Sequence, residues 1–82
     1  MIRPGFRFKN EGEEFTVVVF YQTGKKNVAL LIGPNTECPF LTVRDLSELR
    51  NGYCDWAWSH YFKSFDEAFR DFQERKNSLQ NN

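Results

Sequence analysis

The chain has 82 residues, too few for a second domain and close to the size at which one hydrophobic core suffices without disulfides or metal. Apolar residues make up 40% of it and aromatic residues 17%, including nine Phe, which excludes an intrinsically disordered chain. Eleven basic and eleven acidic residues leave a formal charge of zero, so the long-range field that gathers proteins onto nucleic acid or anionic lipid is missing on average.

The amino terminus is locally basic through Arg3, Arg7 and Lys9, but Glu11, Glu13 and Glu14 follow at once. Phe6 to Lys9 alternates apolar and basic side chains, as a half-buried strand does, and Asn10-Glu11-Gly12-Glu13 supplies the turn of a first hairpin. No apolar run approaches the roughly 20 residues needed to cross a bilayer. Met1-Ile2-Arg3-Pro4-Gly5 is followed by no signal-type apolar core, so a cytoplasmic location is expected, with Cys38 and Cys54 reduced.

Residues 14–21, Glu-Phe-Thr-Val-Val-Val-Phe-Tyr, are β-branched and aromatic on both faces and predict a central strand. After the short Gly24 connection, residues 27–32 predict a third strand, stopped by Gly33-Pro34-Asn35. Tight turns between neighbours imply antiparallel pairing. Residues 40–43 form a shorter strand entered from Pro39. Asp45 to Gly52 reads either as one helical turn, with Asp45 as cap, Glu48 three residues on and Gly52 as stop, or as an elaborate hairpin loop; a single turn of helix inside the loop is the favoured expectation.

The final strand, residues 53–62, has a readable parity. Cys54, Trp56, Trp58, His60 and Phe62 share the face expected to meet the core and the helix, and Tyr53, Asp55, Ala57, Ser59 and Tyr61 share the other. Ser64 and Glu67 have the spacing of a capping box, and Phe65, Ala68, Phe69 and Phe72 follow the i, i+3, i+4, i+7 spacing of a helix that lies on the sheet. Asp71 with Arg75 reads as one of several solvated i, i+4 pairs. The single domain is expected to be folded over 1–76, with 77–82 a frayed tail.

Candidate chemistry is sparse. Cys54 and His60 are separated along a strand by about 20 Å at roughly 3.3 Å per residue, beyond the reach of a nucleophile and its base or of ligands sharing a metal. Cys38 with His60 lacks the further Cys or His that a structural zinc needs. His60 reads as a packed imidazole bonded to backbone. There is no Gly-rich phosphate loop and no Gly-x-Ser-x-Gly elbow. The residues therefore point to no enzyme, no metal, no cofactor and no small-molecule substrate.

The tail Trp56-Ala57-Trp58-Ser59-His60-Tyr61-Phe62, followed by Phe65-Asp66-Glu67-Ala68 and Asp71-Phe72, resembles short uncharacterised proteins and domains of Gram-positive bacteria, their phages and conjugative elements. Ser59 stands where that pattern has Gly. The resemblance implies a small accessory protein without an enzymatic role.

The expected architecture is thus α+β, an antiparallel meander of four to five strands packed against one C-terminal helix. One helix covers one sheet face, which leaves a surplus of rings on the other: either the small sheet curls and buries them, or a second copy or a partner protein does. The expectation carried forward is a non-enzymatic binding or accessory protein working through a protein interface, a homodimer included, with Phe20, Tyr53, Asp55 and Tyr61 as interface residues. The alternative is single-stranded nucleic-acid binding through the same aromatic face with Arg3, Arg7 and Lys9 on the phosphates.

Overall fold

A computed structural model describes residues 1–80. Five strands, β1 (Arg7–Asn10), β2 (Glu13–Thr23), β3 (Lys26–Ile32), β4 (Phe40–Glu48) and β5 (Cys54–Phe62), are followed by one helix, α1 (Phe65–Gln80). The strands pair antiparallel in chain order, so the sheet is the expected meander with all five strands present.

Turn chemistry sets this order. Glu11 and Gly12 take φ of 50° and 83° between paired Asn10 and Glu13, the double left-handed geometry that matches the twist of a two-residue hairpin. Gly24 supplies the positive φ between paired Thr23 and Lys26. The segment read as a helical turn is instead strand and hairpin. β4 runs to Glu48, and Asn51 and Gly52, with φ of 60° and 77°, form the centre of a tight turn closed by the bond from Tyr53 N–H to the Arg50 carbonyl. Asn-Gly is the strongest short hairpin signal, and strand pairing outweighs the capping pattern of Asp45 and Glu48.

The two sheet faces carry separate cores. On the helix side, Val28, Leu30, Ala68, Phe72 and Leu79 are buried together, with Val19, Phe40, Phe62 and Phe69 packed around them. On the other side the sheet curls into a half-barrel around Phe8, Phe15, Val17, Ala29, Leu31, Leu41, Val43, Leu46 and Cys54, with Phe6, Phe20 and Trp56 at its margin. A parallel bridge between Lys9 and Tyr53, with Lys9 N–H bonded to the Gly52 carbonyl, draws β1 toward β5 and seals one end. Space inside is tight enough that a methyl group on Gly33 would come 2.6 Å from the Phe15 ring. Curling thus buries Phe15 and half-buries Phe20, while Tyr53 and Tyr61 remain 38% and 49% exposed.

Bulges decide which residue enters which core. Between the pairs Thr42↔His60 and Arg44↔Ala57, β5 carries one residue more than β4; between Arg44↔Ala57 and Ser47↔Asp55, β4 carries one more than β5. Each extra residue flips the side-chain alternation beyond it. The even-numbered face expected of β5 is therefore split. Cys54 and Trp56 enter the inner core, Phe62 packs on the helix side, and Trp58, at the bulge, is 73% exposed. The helix docks on the Phe40 and Phe62 side, and neither tryptophan belongs to its core.

Ser64 caps α1 as expected, its Oγ accepting from Glu67 N–H at 3.2 Å and its hydroxyl reaching Glu67 Oε1 at 3.1 Å. Phe65, Phe69 and Phe72 stack along the helix, and Phe40 meets Phe65 edge-on. Residues 77–80, expected to fray, are helical and contribute buried Leu79; Asn81 and Asn82 lie outside the described residues. Leu79→Ala should lower stability by about 2–4 kcal/mol, the cost of emptying a buried leucine site, measured by urea denaturation; a change near zero would restore the frayed tail.

Candidate functional site

The bulge in β5 and the third and fourth turns of α1 enclose a cleft of about 310 Å³ lined by Arg44, Trp58, Ser59, His60, Arg75 and Ser78. Three elements supply it. Arg44 and His60 project from β4 and β5 toward the helix side, as their neighbour Thr42 does, and Arg75 and Ser78 face them from α1. Trp58 stands at the rim with φ of 55°, a left-handed conformation that is a genuine outlier for so bulky a residue.

A polar network holds this conformation. Asp71 Oδ2 accepts from Thr42 Oγ1 at 2.6 Å, lies 3.0 Å from His60 Nδ1 and 3.6 Å from Arg75 Nε. Arg75 donates through Nη1 to the Trp58 carbonyl at 2.5 Å and to the Thr42 carbonyl at 3.5 Å, while its Nη2 lies 2.8 Å from His60 Nε2. Arginine has donors only, so Nε2 of His60 accepts and Nδ1 carries the proton given to Asp71. His60 is therefore bonded to two side chains, not to backbone. The Asp71–Arg75 pair read as solvated is turned onto the sheet, with side chains only 21% and 11% exposed. Burial lowers the Arg75 pKa from its ordinary value; Asp71 opposes this and Arg44 adds to it, a sign that the two guanidinium groups repel across the cleft.

Arg44 differs from Arg75. Its Nε is buried without a hydrogen-bond partner, and among the described residues it makes no ion pair. A half-buried guanidinium with no counter-ion is rare, because an unpaired buried charge is costly.

The residues expected from sequence to form an interface are dispersed. Phe20 is half-buried against the inner core. Tyr53 and Asp55 sit at the hairpin end of β5, Tyr53 38% exposed and Asp55 bonded through Oδ1 to Trp56 N–H. Tyr61, 49% exposed, is at the other end of β5 beside Glu13, Gly33, Pro34, Asn35 and Cys38. The basic set of the nucleic-acid alternative is partly neutralised, since Arg7 pairs with Glu14 at 3.1 Å and Lys9 faces Glu14 across the strands. The assignment of Trp58 to the core face from sequence depended on an unbroken alternation, which the bulge interrupts. Asp71 and Arg75 had only the i, i+4 spacing of a surface pair, and nothing in the sequence joined them to Arg44 on β4.

The cysteines stand at opposite ends of the β4–β5 hairpin and are free. Burial, reinforced by Glu48, pushes the Cys54 thiol up to about 11. Among the described residues no three His, Cys, Asp or Glu side chains gather as a metal-holding group, and no helix is long and apolar enough to cross a membrane. No family model, curated protein or solved structure matches the chain.

Two substitutions separate strain from support. Trp58→Gly should raise stability by about 1 kcal/mol, because glycine relieves the left-handed backbone and the indole buries little. Arg75→Met should lower it by about 2 kcal/mol through loss of charge-assisted bonds to Trp58 and His60. Thermal denaturation of both variants checks the pair. Thiol alkylation at pH 8 should label Cys38 and spare Cys54, which the folded protein keeps protonated until the pH approaches 11.

Proposed function

We propose that this chain is a non-enzymatic binding protein that contacts a partner protein through Trp58, at the bulge midway along β5. The observation that carries this reading is Trp58 itself: a tryptophan 73% exposed, in a backbone conformation that costs stability, and braced from behind by Arg75. Strain of this kind at an exposed ring is the pattern of a residue kept for contact, since folding alone would favour glycine there. Aromatic anchors of this size dominate interface energetics. In the cleft beside it both ring nitrogens of His60 are taken up by Asp71 and Arg75, so the imidazole is not free to serve Ser59 or Ser78 as a base, which supports binding over catalysis.

The surface around Trp58 also changes the interface expected from sequence. Phe20 is withdrawn from it, and Tyr53 and Asp55 lie toward the β1 seam, so the contact is centred on Trp58 with Ser59 and the cleft-facing side of α1 at Arg75 and Ser78. The partner is a second copy or another protein, and the two are separable. Wild-type protein that sediments as a dimer, with Trp58→Ala monomeric at unchanged melting temperature, identifies self-association. For a monomer, a photo-reactive benzoylphenylalanine at position 58 should cross-link one discrete protein in the cells that make the chain, and the same group at Lys25 should not. Monomeric protein with equal, diffuse labelling from both positions would overturn the reading.

A further inference from the structure

We propose that the cleft beside Trp58 is a carboxylate-binding subsite, in which the partner protein seats an acidic side chain against Arg44 while a neighbouring apolar or aromatic group lies on the Trp58 indole. This inference rests on the partner-protein reading and adds the chemistry of the contact.

Charge balance carries it. The cleft holds two guanidinium groups, and the carboxylate bonded among its walls, Asp71, is already engaged by Thr42, His60 and Arg75. Asp71 offsets Arg75, which leaves the charge of Arg44 uncompensated among the described residues. A carboxylate supplies the one negative charge required; a phosphate dianion would overshoot it beside Asp71.

Donor geometry agrees. Arg44 Nε is a buried N–H without an acceptor, and Arg75 donates to Trp58, Thr42 and His60 while its Nε only pairs with Asp71 at 3.6 Å, which leaves one Nη2 N–H over. Planar guanidinium donors match a carboxylate in a forked, two-bond arrangement. Trp58 forms the rim of the same cleft, so a ring or apolar side chain one or two bonds from the carboxylate reaches the indole face. The volume of about 310 Å³ lies at the small end of ligand clefts and suits a single side chain with its neighbour.

The test uses 2-naphthoate as a probe that joins a carboxylate to a planar ring, with uncharged 2-naphthamide as its isostere and inorganic phosphate as the dianion. Two-dimensional NMR should show saturable shifts of the Trp58 indole N–H and the Arg44 Nε–H with naphthoate. Naphthamide should bind about tenfold more weakly or worse, as expected when a charge-assisted pair is lost. Arg44→Met and Arg44→Gln should each weaken naphthoate about tenfold and leave naphthamide unchanged, and Arg44→Met should not lower the melting temperature, because it removes the orphan donor. Equal binding of naphthoate and naphthamide, naphthoate binding unaffected by either variant, or phosphate binding more tightly than naphthoate would overturn the subsite. Cross-linking from position 58 without naphthoate selectivity would leave the partner reading standing and sink the subsite. Selective naphthoate binding without cross-linking would do the reverse.

Discussion

The paired bulges of β4 and β5 are the constraint on which the rest of the molecule depends. A five-stranded sheet with strict alternation would send Cys54, Trp56, Trp58, His60 and Phe62 to one face. One helix could not cover five such groups, and the opposite face would lack a closing wall. One extra residue in β5 and a compensating one in β4 exchange the faces midway along the hairpin. The near half then feeds Leu46, Cys54 and Trp56 to the curled interior, and the far half feeds Phe40 and Phe62 to the helix. Trp56 closes the interior by standing edge-on to Phe8 and Phe15, with centroids 6.1 and 5.1 Å away.

The bulge in β4 has its own support. Asp45 takes φ of 56°, tolerable for a short polar side chain, and the backbone of Leu46 leaves the ladder that β3 and β4 share as far as Val28↔Arg44. Buried Asn27 replaces the missing rung. Its amide donates to the Leu46 carbonyl and accepts from the Leu46 N–H, both at 2.9 Å, so a side chain does the work of a strand and both backbone groups of Leu46 are paired. In β5 the equivalent service comes from Arg75, which reaches the Trp58 carbonyl from the helix. Local geometry and tertiary docking are thereby coupled: the bulge that exposes Trp58 is stable only while α1 is in place.

Much of the architecture was legible because it rests on local chemistry. The β-branched run of β2, the Glu11-Gly12 and Gly24 turns and the Ser64 cap each act within a few residues, and each does what its sequence implies. Asn51-Gly52 was equally legible, but the spacing of Asp45 and Glu48 mimics a helical start, and the choice between them is made by the pairing of Ser47 and Glu48 with β5. The parity of β5 was not legible, since a bulge is marked by no residue type here: Trp58 has no preference for left-handed backbone. The site suffered most. Arg44, Asp71 and Arg75 belong to segments that meet only after the helix docks, and nothing in their spacing distinguishes Asp71–Arg75 from an ordinary surface pair.

Partial closure of the half-barrel has an effect on what the sheet can do to its neighbours. Sheet edges template further strands, and an open meander has two of them, enough to propagate a filament. Here β1 is a four-residue strand carrying Arg7 and Lys9, and its Lys9 amide is already spent on Gly52. Joining β1 to β5 at that end leaves less free margin than a flat meander would have, so the fold itself curbs strand-wise stacking on neighbouring molecules.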